Sequence, residues 1–220
     1  MKRISIRGGE FSLLGDSQQE VLSSDNINVI IINAALVSRS YFGNEFDPNK
    51  STAPVCWSDD TQRPSPNVPE ENIQARRCMD CTQNVRGSGG NGGRACRFQQ
   101  RLAVVFEGDL EEVYQLQIPA SSIFGRVVDG NMGMQEYARH LSSHGTAVIS
   151  VVTNILFDKD SVVPKLYFKP IRPIDTDTGI KVAEMVVHED TKRAITSFVP
   201  VTSEPSPFGT VDGGFDINAD

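Results

Sequence analysis

Four cysteines, Cys56, Cys78, Cys81 and Cys96, fall within one stretch of the chain at the spacing C-x21-C-x2-C-x14-C. The Cys78-Met79-Asp80-Cys81 pair can set two thiolates on one ion in a tight turn, and the two more distant cysteines complete a tetrahedron. Four sulfur ligands leave no open position, so the expected cofactor is a structural Zn2+ rather than a catalytic one. Metal binding would also supply folding free energy to a segment that lacks a core of its own. Other readings compete. Two disulfides could be drawn in three ways, but a cytoplasmic chain disfavours them. A redox CxxC pair belongs in a βαβ context that this stretch lacks. Inert buried cysteines would scatter through a core rather than gather in its least apolar part.

Cations and rings cluster around the same cysteines. From Arg76 to Arg101 there are six arginines (Arg76, Arg77, Arg86, Arg94, Arg97, Arg101) against one acid, Asp80. Trp57 follows Cys56, Phe98 lies two residues past Cys96, and Tyr41 and Phe42 follow Arg39. Tyr167 and Phe168 sit between Lys165 and Lys169. Rings interleaved with cations suit single-stranded nucleic acid, because bases stack on the rings while the backbone follows the charge, at about 1–3 kcal/mol per stacked base. The nucleic-acid candidates are therefore Arg39, Tyr41, Phe42, Trp57, Arg76, Arg77, Arg86, Arg94, Arg97, Phe98 and Arg101. The competing reading of any one ring is a core position. Tyr167 and Phe168 point to opposite sides of a strand, so at least one belongs inside, and Trp57 can simply roof the metal site.

Other chemistry is weakly represented. The Gly87–Gly93 run lacks the GK[ST] ending of a phosphate loop, and no strand enters it directly. It reads as a lid or backbone clamp, or else as a solvated linker. His140 and His144 stand at i, i+4 without the glutamate of a zinc hydrolase and read as helix surface. No GxSxG elbow is present. No catalytic constellation emerges, and the chain is read as a non-enzyme. The last residues are acidic and carry rings: Phe208, Asp212, Phe215, Asp216 and Asp220 could dock replication or recombination proteins, lie over the basic surface as an internal competitor, or only aid solubility.

The elements that must position these residues are mainly β. Arg3–Arg7 and Glu10–Leu14 read as strands about a Gly8-Gly9 turn. Strands are expected at Asn26–Val37, Arg101–Phe106, Val113–Ile118, Thr146–Phe157 and Lys165–Ile171, with a helix at Met134–Ser143 and a C-terminal helix at Asp175–Ala194. A helix between strands three and four of five matches an OB-type Greek-key barrel, whose strand 2–3 face binds oligonucleotides. The cysteine-rich insertion, residues 51–98, then lies between strands one and two of an OB-like domain spanning 1–197, and 198–220 form a flexible acidic tail.

With 220 residues, 39% hydrophobic and 22% charged, the chain is long enough for a real core and too apolar for a disordered one. It shows no apolar run of membrane-spanning length and no signal-peptide h-region, so a cytoplasmic location is expected and no membrane partner. Net charge is −7, which argues against a protein that simply coats nucleic acid and makes charge segregation the informative feature. Chance plus solvated faces is the plain alternative.

The stretches KRISIRGGEF, NVIIINAALVSRSYF, CWSDD, CMDCTQNVRGSGGNGGRACRFQQRLAVV, IPASSIFG and PKLYFKPIRP resemble a group of tailed-bacteriophage proteins described as single-stranded DNA-binding. The likeness runs from Lys2 to about Pro173, and the cysteine segment is its most specific part. It implies an accessory protein of phage replication and recombination, working in the host cytoplasm. The expected function is sequence-independent binding of single-stranded DNA by a basic groove with aromatic stacking. The alternative is a zinc-bearing protein-interaction module acting on replication or transcription machinery.

Overall fold

The computed structural model describes residues 2–14, 19–23, 25–43, 53–125 and 127–196. In chain order the strands are β1 (Arg3–Ser5), β2 (Phe11–Leu14), β3 (Gln19–Ser23), β4 (Asn26–Ala34), β5 (Ser38–Tyr41), β6 (Cys56–Ser58), β7 (Arg97–Phe106), β8 (Asp109–Pro119), β9 (Val151–Phe157) and β10 (Leu166–Pro173). The helices are α1 (Ala120–Ile123), α2 (Met134–Ser143), α3 (Thr176–Met185) and α4 (Glu189–Ile195).

The apolar run in β4 sets the centre of a mainly β molecule. Val29 and Ile31 join one core cluster, while Ile30 and Ile32 join another. A strand apolar on both faces needs cover on both. Leu102 and Val104 of β7 repeat the pattern against Ala103 and Val105. β4 pairs antiparallel with β7 on one edge and β9 on the other. β7 returns as β8, and β9 pairs with β10. The order is β10-β9-β4-β7-β8, continuing through β1, β2 and β3 as a curled half-barrel.

A strand overlaps each of the five expected ranges, but the one expected from Thr146 starts only at Val151, because Val148–Ser150 form a 3-10 turn; α2 spans the expected residues between β8 and β9. The sheet is larger than five strands, however, and among the described residues β8 and β10 do not pair. The free edge of β8 takes β1 in parallel, with Arg3 opposite Gln115 and Ile4 opposite Leu116. β1 turns through Gly8 and Gly9, both at positive φ, and pairs with β2. The far edge of β10 meets Met132 in a single bridge to Phe168. The strand expected to run to Val37 breaks after Ala34, and the chain resumes along the same partner as β5, with Ser38 opposite Gln99.

One face of the sheet is covered by α1 and α2 through Ile123, Met134, Tyr137 and Leu141. The other is covered by α3 and α4 through Val182 and Ala194. The expected single helix over 175–194 is two. Asp175 caps the first, its carboxylate accepting the Thr178 N–H at 2.8 Å. His188 caps the second, accepting from Asp190 N–H. Among the described residues no helix is long and apolar enough to cross a membrane. The acidic segment with Phe208, Asp212, Phe215, Asp216 and Asp220 lies outside the described residues.

Candidate functional site

The cysteine segment is anchored by β5, which lies between β6 and β7. Tyr41 stands opposite Cys56, and Ser40 stands between Trp57 on one side and Arg97 on the other. Cys56 therefore opens β6, and Cys96 directly precedes β7, so the two flank the end of β5. Cys78–Asp80 form a 3-10 turn, and Cys81 caps the next one, Thr82–Asn84. Two long-range backbone bonds hold this pair in place: Cys78 N–H to Gln62 C=O and Cys96 N–H to Gln83 C=O, each 2.8 Å. All four cysteines, together with Arg39 and Trp57, line one small cavity with about 20 Å³ of free space. All four are free thiols. Among the described residues, no three His, Cys, Asp or Glu side chains already stand as a coordination group.

The cavity disfavours lone thiolates. Burial pushes the Cys96 thiol up to about 12; the Arg39 charge pulls against this, and the other three cysteines add to it. Cys56 is also raised, chiefly by burial, with the Gln74 N–H opposing and Cys78 and Cys81 adding. Both shifts disfavour a lone thiolate in this cavity. A dication reverses that electrostatic sense, because a coordinated thiol is deprotonated. The donor set and the shared cavity thus fit a soft divalent ion.

The expected nucleic-acid residues divide by burial. Arg39, Trp57 and Arg101 are inside, at 8%, 5% and 7% exposure, and present no surface to a strand. The Arg39 guanidinium lies 4.0 Å from the centre of the Phe98 ring, and Phe98 meets Phe124 edge-on at 5.5 Å. Burial lowers Arg101, and the charge of Asp59 opposes that shift. Arg76, Arg77, Arg86, Arg94 and Arg97 are exposed, while Tyr41, Phe42 and Phe98 are half-buried. Arg77 pairs with Asp80 at 3.3 Å in an exposed contact that is cheap to exchange for a phosphate.

The glycine run is ordered backbone rather than a linker. Gly87 and Gly89 both donate to Gly93 C=O, at 2.9 and 3.1 Å. Ser88 Oγ donates to Val85 C=O at 2.6 Å and accepts the Ala95 N–H at 3.0 Å. Arg94 Nε ties back to Asn84 C=O at 2.7 Å. A Cβ on Gly89 would meet Ala95 N and Arg94 C, both at 2.8 Å, so only glycine fits there. This loop forms one wall of a pocket of about 240 Å³ whose other walls are Phe42, Gly43 and Arg97. A ring and a guanidinium around one pocket can take a flat base and its phosphate, while the Ser88, Gly89 and Ala95 N–H groups are already bonded within the loop.

Other sequence expectations resolve plainly. His140 on α2 and His144 at its C-cap are exposed, with ring centres 4.5 Å apart. Tyr167 and Phe168 are both buried. The Tyr167 hydroxyl and Lys165 Nζ both donate to Asp158 Oδ2, at 3.0 and 2.7 Å, which places Tyr167 in a structural triad. Sequence reasoning passed over Asp59, Ser88 and Phe124, which support Arg101, the glycine loop and Phe98. Only the proximity of Asp59 and Ser88 to the cysteines and glycines hinted at them. No family model, no curated protein and no solved structure matches this chain.

Proposed function

We propose that this chain is a single-stranded DNA-binding protein whose cysteine segment is a zinc-ordered arginine platform, acting in phage replication and recombination. The observation that carries the reading is the pocket walled by Phe42, Arg97 and the glycine loop, in the chain segment that also bears exposed Arg76, Arg77, Arg86 and Arg94. Stacking on a ring needs an unpaired base, and the basic surface around it follows a phosphate backbone. The strand order β10-β9-β4-β7-β8, with a helix between β8 and β9, is that of an OB barrel left open between its third and fifth strands, which supports an OB-like descent. In that frame the platform grows from the loop joining the first two strands, where OB folds take oligonucleotides. The net charge of −7 does not oppose this, since the cations are concentrated in one stretch of the chain.

The test is fluorescence anisotropy of a labelled 30-nucleotide single strand against the same sequence as duplex. Tight, salt-sensitive binding of the single strand with much weaker duplex binding is expected. Binding of neither at low salt, by folded protein, overturns the proposal.

One observation favours a second reading. Met79 and Val85, at 73% and 60% exposure, stand among the arginines, and exposed apolar side chains beside cations also suit a protein partner. A partner captured by protein that has no DNA affinity would select the interaction module.

A further inference from the structure

We infer that the four-cysteine cavity holds a divalent metal ion as a tetrathiolate, and that Arg39 is the buried counter-cation of that complex, with Trp57 as a second donor to its sulfurs. The inference rests on reading the cysteines as a metal site and adds what balances its charge.

Arg39 carries the argument. A guanidinium stays protonated in proteins and has five N–H donors. Here it is 8% exposed, and its Nε and Nη1 are buried without a hydrogen-bond partner. Phe98 covers a face of the guanidinium, but a ring face does not satisfy N–H groups at the guanidinium edge. A buried, unpartnered cation is among the costliest arrangements a fold can hold. Trp57 repeats the pattern, since its Nε1 is also buried without a partner. Both side chains line the cavity of the four cysteines. Neutral thiols are weak acceptors and carry no charge, so the thiol form answers neither orphan.

Metal binding changes this. Four S–H bonds break, four protons pass to solvent, and four S–metal bonds form around a 2+ ion, leaving a complex of net charge −2 with no redox change. Its thiolates accept N–H groups and its charge opposes the guanidinium. Among the described residues lining the cavity, Arg39 is the one cation. Outer-shell donors of this kind orient ligands and tune metal affinity. Arg39 also belongs to β5, between the strand that Cys56 opens and the strand that Cys96 precedes, so the counter-charge is fixed by the same register as two of the ligands.

The experiment uses the full chain and zinc itself. Metal content is counted by mass spectrometry, and affinity is measured by competition with a chromophoric chelator, for wild type, Arg39→Gln, Arg39→Lys and Trp57→Phe. One zinc per wild-type chain is expected. Arg39→Gln should weaken zinc binding about 10–100-fold, with Arg39→Lys retaining more of it. After Co2+ substitution, the sulfur-to-metal charge-transfer band of Arg39→Gln should move to longer wavelength, because a thiolate that loses an N–H donor gives up its electrons more readily. Wild type without zinc overturns the metal reading and this inference together. One zinc per chain, with unchanged affinity and band position in Arg39→Gln, overturns the role of Arg39 alone. Should Arg39→Gln fail to fold, 113Cd-substituted wild type decides: coupling between 113Cd and an Arg39 N–H through sulfur is expected, and its absence overturns the inference.

Discussion

The N–H of Cys96 donates to the carbonyl of Gln83 at 2.8 Å, which closes the loop bearing Arg86 and Arg94 at the residue where the cavity begins. The cysteine cavity and the arginine surface are therefore one piece of backbone, and disturbing either should be felt by the other.

Gly89→Ala tests that continuity. Its Cβ would meet backbone at 2.8 Å, whereas a Cβ on neighbouring Gly90 meets nothing within 4 Å. Gly89→Ala should lose about 1–3 kcal/mol of stability and weaken single-strand binding, while Gly90→Ala stays within about 0.5 kcal/mol of wild type. Urea titration and anisotropy on the pair check this.

Phe42→Ala should cost about 1–3 kcal/mol of single-strand affinity, about equally for every base composition, because stacking tolerates any base. Arg97→Ala should instead flatten the salt dependence. About four phosphate contacts predict a log–log slope near −3, and each one removed changes it by about 0.7. A salt series on both variants separates the two roles.

Tyr137 on α2 shares a 2.6 Å hydroxyl bond with Thr153 on β9, and both residues are buried. Tyr137→Phe leaves the threonine unsatisfied and should cost about 1–3 kcal/mol. Adding Thr153→Val should return part of that loss, as read from denaturant midpoints in a double-mutant cycle.

The Lys165 hydrogen bond holds the Asp158 carboxyl below its ordinary 3.8, and the same bond holds Lys165 above 10.5. A lowered acid stabilises the fold above its unfolded pKa and stops doing so as pH falls through the folded one; a raised base stabilises below its unfolded pKa and stops as pH rises through the folded one. Asp158→Asn should therefore melt below wild type by a constant margin from about pH 5 to about pH 9. The margin should close at both extremes. Melting curves across pH check the window.

The central strands were legible because their apolar runs are long, and α2 was legible because Met134, Tyr137, Ala138 and Leu141 mark one face with the right period. β5 and β6 were not. SRSY and CWS are too short to show alternation; β5 is placed by its pairing with β7, and β6 by its pairing with β5. The break at Val186–His188 was hidden because the second helix begins with a histidine cap, which propensity does not flag. Charge patterning found the arginine cluster but not its depth. Arg76 and Arg101 are alike as letters, yet Arg76 lies on an exposed loop while Arg101 is buried in β7. The meeting of all four cysteines in one cavity was legible in their spacing. The buried cation beside them was not, because Arg39 reads as one more positive charge near two rings.

The parallel seam between β1 and β8 bears on the order of assembly. β7 and β8 meet across a tight turn, with Phe106 opposite Asp109, whereas Arg3 must find Gln115 across half the polypeptide. Loop-closure entropy grows as about (3/2)RT ln n, which makes the seam about 3 kcal/mol costlier to nucleate than the hairpin. The amino-terminal strand is therefore expected to dock late, onto an edge that the hairpin has already prepared, and to be released early when the molecule breathes. The amide of Gln115, which donates to Lys2 C=O at 3.1 Å, is the proton whose exchange reports that release.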